Sequence, residues 1–291
     1  MKSICLSPLD GAYPSRLRSL ARAPATLTVR GGSLEADRVV AIVGSREAHP
    51  KAVDFARTLA EALARADVVV ASGGAVGIDA AAHEGALEAG GRTWCVAGTG
   101  ELHCYPPEHA PLFDRIASGP GAMVWPFPPD LAALARAFRE RNRVLVALAD
   151  AVVVVQAGLR SGALSTAGRA RVQRRPLWVV PVSPWEHDEK FDFGGSRQLL
   201  NQGAKPLQAA GPLLASLTHL IRRDGRTGAP SGAERALLGG LPAPVEPPLH
   251  LDEIAARAHL SPQAAAAALL TLALENVVVE GPPGFFRRRD T

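Results

Sequence analysis

The chain has 291 residues, of which 47% are hydrophobic and 21% are charged, and this balance excludes an intrinsically disordered protein. The formal charge is +4 at pH 7 and the isoelectric point is about 9.3, which favours an anionic partner. The three cysteines do not suggest a disulfide framework, and no apolar run reaches the ~20 residues of a membrane helix, so we expect a cytoplasmic protein without a membrane partner.

Six short runs of β-branched residues predict strands, and alanine-rich stretches with helical spacing lie between most of them. The predicted strands span residues 38–43, 67–71, 93–97, 122–125, 151–156 and 177–182. Strands that alternate with helices are typical of crossover βαβ units and of a parallel sheet covered on both faces. We therefore predict an α/β fold with a doubly wound, mostly parallel, extended Rossmann-like sheet.

The composition changes near residue 222, where prolines and glycines accumulate. We assign residues 1–37 to a short N-terminal segment, 38–222 to the Rossmann-like domain, 223–248 to a linker and 249–291 to a winged-helix-like domain. Within the linker, residues 231–238 predict one short helix. In the last segment, Ser261 as N-cap and Pro262 at the first helical position start a helix that ends near Glu275, and a hairpin follows it.

Three glycine-rich turns follow predicted strands, at residues 43–46 (VGSR), 72–79 (SGGAVGID) and 160–170 (RSGALSTAGRA). Ligands of open parallel sheets bind beyond the carboxyl ends of the strands, where helix N-termini present free amide groups. Glycines allow a close approach of the backbone, and Arg46 adds a guanidinium. The turns therefore predict a phosphate-binding site. Neither of the first two fits GxGxxG or GxxxxGK[ST], so we expect no nucleotide cofactor.

Arginines are concentrated between residues 136 and 175, where there are nine of them against two carboxylates, Glu140 and Asp150. One interpretation is a solvated helix face. Beside the phosphate turns, the cluster instead indicates an extended anion, namely a nucleic-acid backbone. Phe138 is a candidate platform for bases. Its alternative role is core packing, because Leu131, Leu134, Phe138 and Leu145 fall on one helical stripe.

Six stretches resemble, in order and spacing, the DNA-processing protein A family (DprA, also called Smf). They are VAIVGSR, SGGAVGIDAAAHEGAL, GTGELHCYP, FRERNRVLVAL, VVVVQAGLRSGALSTA and GGSRQLLNQGA. The resemblance implies a homodimeric, non-enzymatic recombination mediator that binds and protects incoming single-stranded DNA and assists loading of RecA recombinase in natural transformation. Carried over by motif position, it implies DNA contacts from Gly44, Ser45, Arg46, Ser72, Gly73, Arg141, Asn142, Arg143, Ser161 and Gly162. We add Phe138 to this predicted DNA-binding set.

Several positions depart from the pattern of that family. Trp125-Pro126 replaces a Ser-Glu pair, Gln156 replaces a glutamate, and Arg197 replaces an asparagine. The loss of two carboxylates and the gain of an arginine predict a more positive pocket, in keeping with an anionic ligand.

Two other functions are compatible with parts of the sequence. A base-releasing nucleotide hydrolase of the same α/β superfamily could use Glu101 and Asp79 as acid and base, although the glycines of AGTGELH are in the wrong order for it. A winged-helix regulator is the other, but the helix SPQAAAAALLTLALEN has almost no side chain that reads a base edge. The histidines and cysteines near residues 83–109 lack the spacing of a metal site, and we expect His83 to pack against the turn that precedes it.

Overall fold

The computed structural model describes residues 2–20, 22–181, 190–223, 236–237, 239–242, 247–274, 278–282 and 284–288. The chain divides into two compact units, residues 1–217 and 218–291. The boundary falls just before the predicted linker, most of which lies outside the described residues, as does most of the short helix predicted within it.

The first unit is built on one sheet, which has nine strands among the described residues. In chain order they are β1 (Ile4–Leu6), β2 (Leu27–Gly31), β3 (Val39–Val43), β4 (Val69–Ser72), β5 (Thr93–Val96), β6 (Ala122–Trp125), β7 (Ala151–Val154), β8 (Leu177–Val179) and β9 (Lys205–Pro206). Their order across the sheet is β1-β2-β6-β5-β4-β3-β7-β8-β9. All pairs from β6 to β9 are parallel, whereas β1 pairs antiparallel with β2, and β2 antiparallel with β6.

Helices alternate with the parallel strands, as the sequence pattern predicts. The helices of this unit are α1 (Ser15–Arg18), α2 (Pro50–Arg65), α3 (Ile78–Glu88), α4 (Ala110–Ser118), α5 (Ala135–Leu148), α6 (Gly162–Val172), α7 (Gly194–Asn201) and α8 (Ala210–Arg223), with a short 3-10 helix at Pro107–His109. Of these, α1 lies between β1 and β2, and α8 lies after β9. The predicted fold class, a mostly parallel and doubly wound α/β sheet, is confirmed.

The central strands are buried on both faces, which explains their unbroken apolar runs. Every residue of β3 to β7 is buried. Leu145 and Leu148 of α5 belong to the core cluster on one side, and Phe113 and Ile116 of α4 belong to a second cluster that includes Met123. The sheet is thereby fixed as a rigid platform for the turns at its strand ends.

The N-terminal segment contributes two strands to this sheet, which the sequence pattern does not predict. Strand β1 has three residues and β2 has five, and no helical crossover lies between them to mark a βαβ unit. The six predicted strands all form, with ends that differ from the prediction by at most three residues. Strand β4 extends to Ser72, and Val182, the last residue of the sixth predicted strand, lies outside the described residues.

The second unit has the helix and hairpin order of a winged helix, as predicted. It contains β10 (Leu249–His250), α9 (Leu251–Arg257), α10 (Pro262–Leu274), β11 (Val278–Glu280) and β12 (Phe285–Arg288), with the strand order β10-β12-β11. Ile254 and Leu269 lie in its apolar core. The Ser261 hydroxyl caps α10 by accepting a hydrogen bond from the amide of Ala264. Within the described parts of both units, no helix is long and apolar enough to cross a membrane.

Candidate nucleic-acid interface

Three glycine-rich turns meet at one edge of the sheet. Strands β4, β3 and β7 are neighbours and parallel, so their carboxyl ends lie side by side. The turns that follow them and the start of α5 enclose a cavity of about 500 Å³, which we call the strand-end cavity. Eight of the eleven predicted DNA-binding residues line it: Gly44, Ser45, Arg46, Phe138, Arg141, Asn142, Ser161 and Gly162.

The strand-end cavity carries more positive than negative side chains among the described residues. Its cationic residues are Arg46, Arg139, Arg141, Arg160 and Lys190, and its acidic ones are Glu47, Asp79 and Asp192. Two of the three carboxylates are engaged in the protein itself. Asp192 accepts hydrogen bonds from the amides of Leu159 and Gly194, and Asp79 is buried at 6% exposure. The surface that remains suits an anion.

The first turn of α6 also faces the strand-end cavity. Ser161 is its N-cap and accepts a hydrogen bond of 3.2 Å from the amide of Ala163. Gly162, the first helical residue, is exposed at the cavity. Because a helix N-terminus carries partial positive charge and unpaired amide groups, this end adds a second kind of anion donor to the guanidiniums.

Arg141 is a buried brace rather than an exposed cation. Its guanidinium donates to the carbonyl of Gly73 at 2.7 Å and to the carbonyl of Val96, and it is 6% exposed. Burial raises the pKa of Asp79, whereas the Arg141 charge and the backbone amides that bond this carboxylate act in the opposite direction. One of those amides is that of Gly73, at 3.1 Å, so Asp79 stabilises the glycine turn.

Ser72 does not present its hydroxyl to the strand-end cavity. It is fully buried as the last residue of β4, and its Oγ donates to the carbonyl of Ile42 at 2.6 Å. A Cβ atom on Gly73 would overlap the guanidinium of Arg141, which explains the glycine there. Gly73 lines a smaller hollow of about 90 Å³ that shares Arg46 and Phe138 with the strand-end cavity. The predicted contact from Ser72 is therefore not available in this structure, because β4 continues through that residue.

Arg143 points away from the strand-end cavity. Its Nε donates to Glu140 Oε1 at 2.9 Å, and its Nη1 donates to the carbonyl of Arg22. Successive residues on a helix are about 100° apart, so Arg143 and Asn142 on α5 face different sides. Arg143 lines a separate cavity. The predicted grouping of Arg143 with the three strand-end turns is wrong for this reason.

An aromatic shelf borders the cationic surface. The rings of Phe138 and Tyr105 lie 5.3 Å apart between centroids, and the Arg46 guanidinium lies 5.8 Å from the Phe138 ring. Phe138 is half-buried, and Tyr105 is 41% exposed. The alternative core stripe is not formed as expected, because α5 begins only at Ala135 and Leu134 is exposed. Tyr105 is a site residue that the sequence analysis missed, although it lies in the GTGELHCYP stretch.

The positions that depart from the family pattern do not add charge to the strand-end cavity. Gln156 is fully buried, and its side chain accepts from the amide of His49 at 2.8 Å and donates to the carbonyl of Asp192. Trp125 is buried, and Arg197, though exposed, is not among the described lining residues. The cations that sequence reasoning did not select are Arg139, Arg160 and Lys190, of which the first two belong to its arginine cluster.

The proposed acid and base of a hydrolase do not meet at this cavity. Asp79 is held by Arg141 and backbone amides, while Glu101 accepts a hydrogen bond from the hydroxyl of Ser3 and is not among the described lining residues. In the described part of α10, Gln263 is the one exposed side chain that could read a base edge. The geometry thus favours neither alternative.

His83 is fully buried and is hydrogen-bonded to strand β5. Its Nδ1 lies 2.7 Å from the Oγ1 of Thr93, and that hydroxyl donates to the carbonyl of Val70, so Nδ1 carries the proton. Its Nε2 is buried and has no hydrogen-bond partner among the described residues. Burial lowers the pKa of His83 from 6.5 to about 3. This histidine is a neutral core residue.

Comparison with known proteins is consistent with this fold. A family model described as DNA recombination-mediator protein A matches residues 4–218, and one described as DprA winged helix domain matches residues 224–284. A Mycobacterium tuberculosis protein named as a DNA processing protein DprA is 38% identical over 234 residues, which are 78% of this chain and 58% of the relative. The DNA processing protein DprA of Bacillus subtilis is 34% identical over 209 residues, which are 70% of this chain and 68% of that protein.

Two solved structures give the same result. The DprA structure from Streptococcus pneumoniae superposes with a TM-score of 0.66 and 32% identity, and covers 74% of each chain. The DprA structure from Helicobacter pylori, which is described for its single-stranded DNA binding mode, also has a TM-score of 0.66, with 28% identity over 75% of this chain and 96% of that one. The chain spans 58% of the length of its Mycobacterium tuberculosis relative. On the sheet, the winged helix and these matches, the chain belongs to the DNA recombination-mediator protein A family, whose members carry the names DprA and Smf.

Proposed function

We propose that the protein is a single-stranded DNA-binding recombination mediator that holds the DNA backbone in the strand-end cavity. The observation that carries this proposal is the convergence of Arg46, Arg139 and Arg160 with the α6 N-terminus beside the shelf of Phe138 and Tyr105. Guanidiniums and amides suit phosphates, and aromatic faces suit unpaired bases, which a duplex does not expose. The family membership and the single-stranded DNA bound by the Helicobacter pylori relative support it.

The wider role in this proposal is to protect incoming single-stranded DNA and to assist RecA loading during natural transformation. We propose that this role is non-enzymatic. We further propose a homodimer and a cytoplasmic location. The support for these statements is family membership, and each has its own assay: sedimentation for the dimer, and RecA filament growth on protein-coated strands for loading.

The test of DNA binding compares two double variants that lose equal charge. The strand-end variant is Arg46→Ala/Arg139→Ala, and the control variant is Arg136→Ala/Arg171→Ala, whose exposed arginines lie outside both large cavities. Fluorescence polarisation is measured with a 20-mer of oligothymidine and with duplex DNA at several salt concentrations.

We expect the wild type and the control variant to bind the single strand more tightly than the duplex. The strand-end variant should lose at least tenfold in affinity, and its salt slope should fall by about 0.7 for each lost phosphate contact. Equal losses in the two variants would show that the arginines act only through net charge, and the proposed site would be rejected. If incubation with nucleotides released free base, the alternative function, a base-releasing hydrolase, would be supported instead.

A further inference from the structure

A second basic cavity lies on the other side of α5. It has a volume of about 580 Å³ and is enclosed by α1 and the residues after it, by α5 and by the last turn of α6. We call it the arginine cavity after its charged lining residues, Arg16, Arg22, Glu140, Arg143, Arg169 and Arg175. Three arginines of the cluster that do not line the strand-end cavity, Arg143, Arg169 and Arg175, therefore lie here.

The charges of the arginine cavity are unbalanced among its described residues. Arg16 is neutralised by Asp150 at 2.5 Å. Among the described lining residues, Arg22, Arg143 and Arg169 then share the cavity with the single carboxylate of Glu140. That carboxylate is shared, with Arg143 at 2.9 Å and Arg169 at 3.8 Å. One carboxylate thus holds two guanidiniums side by side without cancelling the positive charge of the surface.

Two of the guanidiniums, those of Arg143 and Arg175, are held by hydrogen bonds within the protein. The side chain of Arg143 is 17% exposed and is fixed at both ends of its fork, by Glu140 and by the carbonyl of Arg22. Gln173 donates to the carbonyl of Arg143 at 3.0 Å, and Arg175 donates to the carbonyl of Ala147 at 3.3 Å. Arginines that are already ordered lose little entropy on binding, so the cavity is prepared for an anion.

The chemistry of the lining favours a phosphate group. Guanidinium forks match the oxygens of phosphate in bidentate geometry, and the volume is in the range of sites that hold small ligands. Leu20 and Val172, the latter 78% exposed, supply apolar surface at the rim for a sugar or a base. A bound anion would neutralise positive charge of the cavity arginines that the single carboxylate of Glu140 does not neutralise.

Helix α6 connects the two cavities. Its first residue, Gly162, lines the strand-end cavity, and Arg169 and Val172 near its end line the arginine cavity. At a rise of 1.5 Å per residue these positions are about 10–15 Å apart, a distance that a few nucleotides can span. A strand bound at the first cavity can therefore place a later phosphate in the second.

We propose that the arginine cavity is a second phosphate-binding site, which takes a phosphate either from a DNA strand that extends beyond the strand-end cavity or from a free phosphate compound. Binding of a DNA phosphate in the arginine cavity rests on the proposed function, whereas binding of a free phosphate compound does not. The variant that tests the proposal, called the cavity variant, is Arg22→Ala/Arg169→Ala, and neither side chain is buried in the core. The control variant, Arg136→Ala/Arg171→Ala, removes the same charge outside the cavity.

The first measurement uses pyrophosphate and calorimetry on the full chain. The strand-end variant serves as background, so that the first cavity contributes little. We expect this background to retain pyrophosphate binding, to lose at least tenfold in affinity when the cavity substitutions are added, and to lose less than threefold when the control substitutions are added.

The second measurement uses oligothymidines of 2 and 20 nucleotides with an otherwise wild-type chain. If the strand supplies the phosphate, the cavity variant loses at least fivefold for the 20-mer and less than twofold for the dinucleotide, with a salt slope for the 20-mer lower by about 1.4 for two contacts. Unchanged binding of both oligomers, with pyrophosphate binding lost, assigns the site to free phosphate compounds. Equal behaviour of the cavity and control variants with both probes overturns the proposal. A wild type that binds pyrophosphate and no oligothymidine refutes the proposed function alone.

Discussion

Arg141 on α5 donates a hydrogen bond of 2.7 Å to the carbonyl oxygen of Gly73 in the turn after β4. The same guanidinium compensates the buried charge of Asp79, whose carboxylate accepts from the amide of Gly73. Helix α5, the glycine turn and the start of α3 are thereby fixed to one another. Arg141 and Asp79 thus stabilise the turn and the helix that line the strand-end cavity.

Arg141→Ala should lower stability far more than the loss of a neighbouring exposed arginine. The substitution leaves the buried carbonyls of Gly73 and Val96 without their Arg141 donor, and a buried polar group without a partner costs about 1–3 kcal/mol in free energy of unfolding. Arg139→Ala, on the same helix but exposed, should cost less than about 0.5 kcal/mol. Urea denaturation measures both. Similar losses in the two variants would refute the assignment of Arg141 as a brace.

The aromatic shelf should contribute to affinity for single strands. Phe138→Ala and Tyr105→Ala each remove a ring that can stack on a base, which is worth about 1–3 kcal/mol per base, and we expect at least a fivefold loss in oligothymidine affinity. Leu102→Ala is the matched control. Leu102 lies three residues before Tyr105 in the chain, is 73% exposed, and lines neither the strand-end cavity nor the smaller cavity beside Gly73. Since stacking does not depend on ions, the salt slope should stay constant. A changed slope with unchanged affinity at low salt would argue against stacking.

Stability should fall with acid because of His83. Its pKa is about 3 in the folded protein and 6.5 ordinarily, so below pH 6.5 the unfolded chain takes up a proton that the folded protein excludes. The free energy of unfolding should therefore decrease as the pH falls from 6.5 towards 3, by up to about 1.4 kcal/mol per unit from this one group. His83→Gln cannot titrate and should show a shallower slope between pH 6.5 and 4.5 than the wild type. Parallel slopes would show that His83 does not contribute.

Gln156→Glu tests a departure from the family pattern whose side chain is hydrogen-bonded to Asp192, a residue that lines the strand-end cavity. A buried carboxylate there can still accept from the amide of His49, but it cannot donate to the carbonyl of Asp192. We expect a loss of about 1–3 kcal/mol in free energy of unfolding at pH 8, with partial recovery at pH 5, where a protonated carboxyl can donate again. Gln198→Glu, at an exposed position of α7, is the control and should have little effect at either pH.

The parallel part of the fold is predictable because strands buried on both faces appear in the sequence as continuous apolar runs. The apolar runs of β3 to β8 and the glycines after β3, β4 and β7 locate the site edge without any structure. Strands β1 and β9 are short edge strands, and β2 pairs antiparallel with β1 and β6. The pairing of these three strands depends on tertiary contacts that no local pattern encodes.

The side-chain directions within the site were harder to predict. Ser72 and Arg143 belong to the right stretches, yet one is the end of a strand and the other lies on the far side of α5. Whether an arginine is a brace or a free cation depends on burial, as Arg141 and Arg139 show on one helix. Tyr105 reaches the site through a loop whose path the sequence does not specify.

Photocrosslinking tests the central claim most directly, namely that the strand-end cavity holds single-stranded DNA. An oligothymidine that carries 5-iodouracil is bound to the full chain and irradiated, and the linked peptides are identified by mass spectrometry. We predict links at Tyr105 and Phe138 that are strongly reduced in the strand-end variant and unchanged in the control variant. Links confined to residues 249–291, or links that the strand-end variant leaves unchanged, would contradict the account.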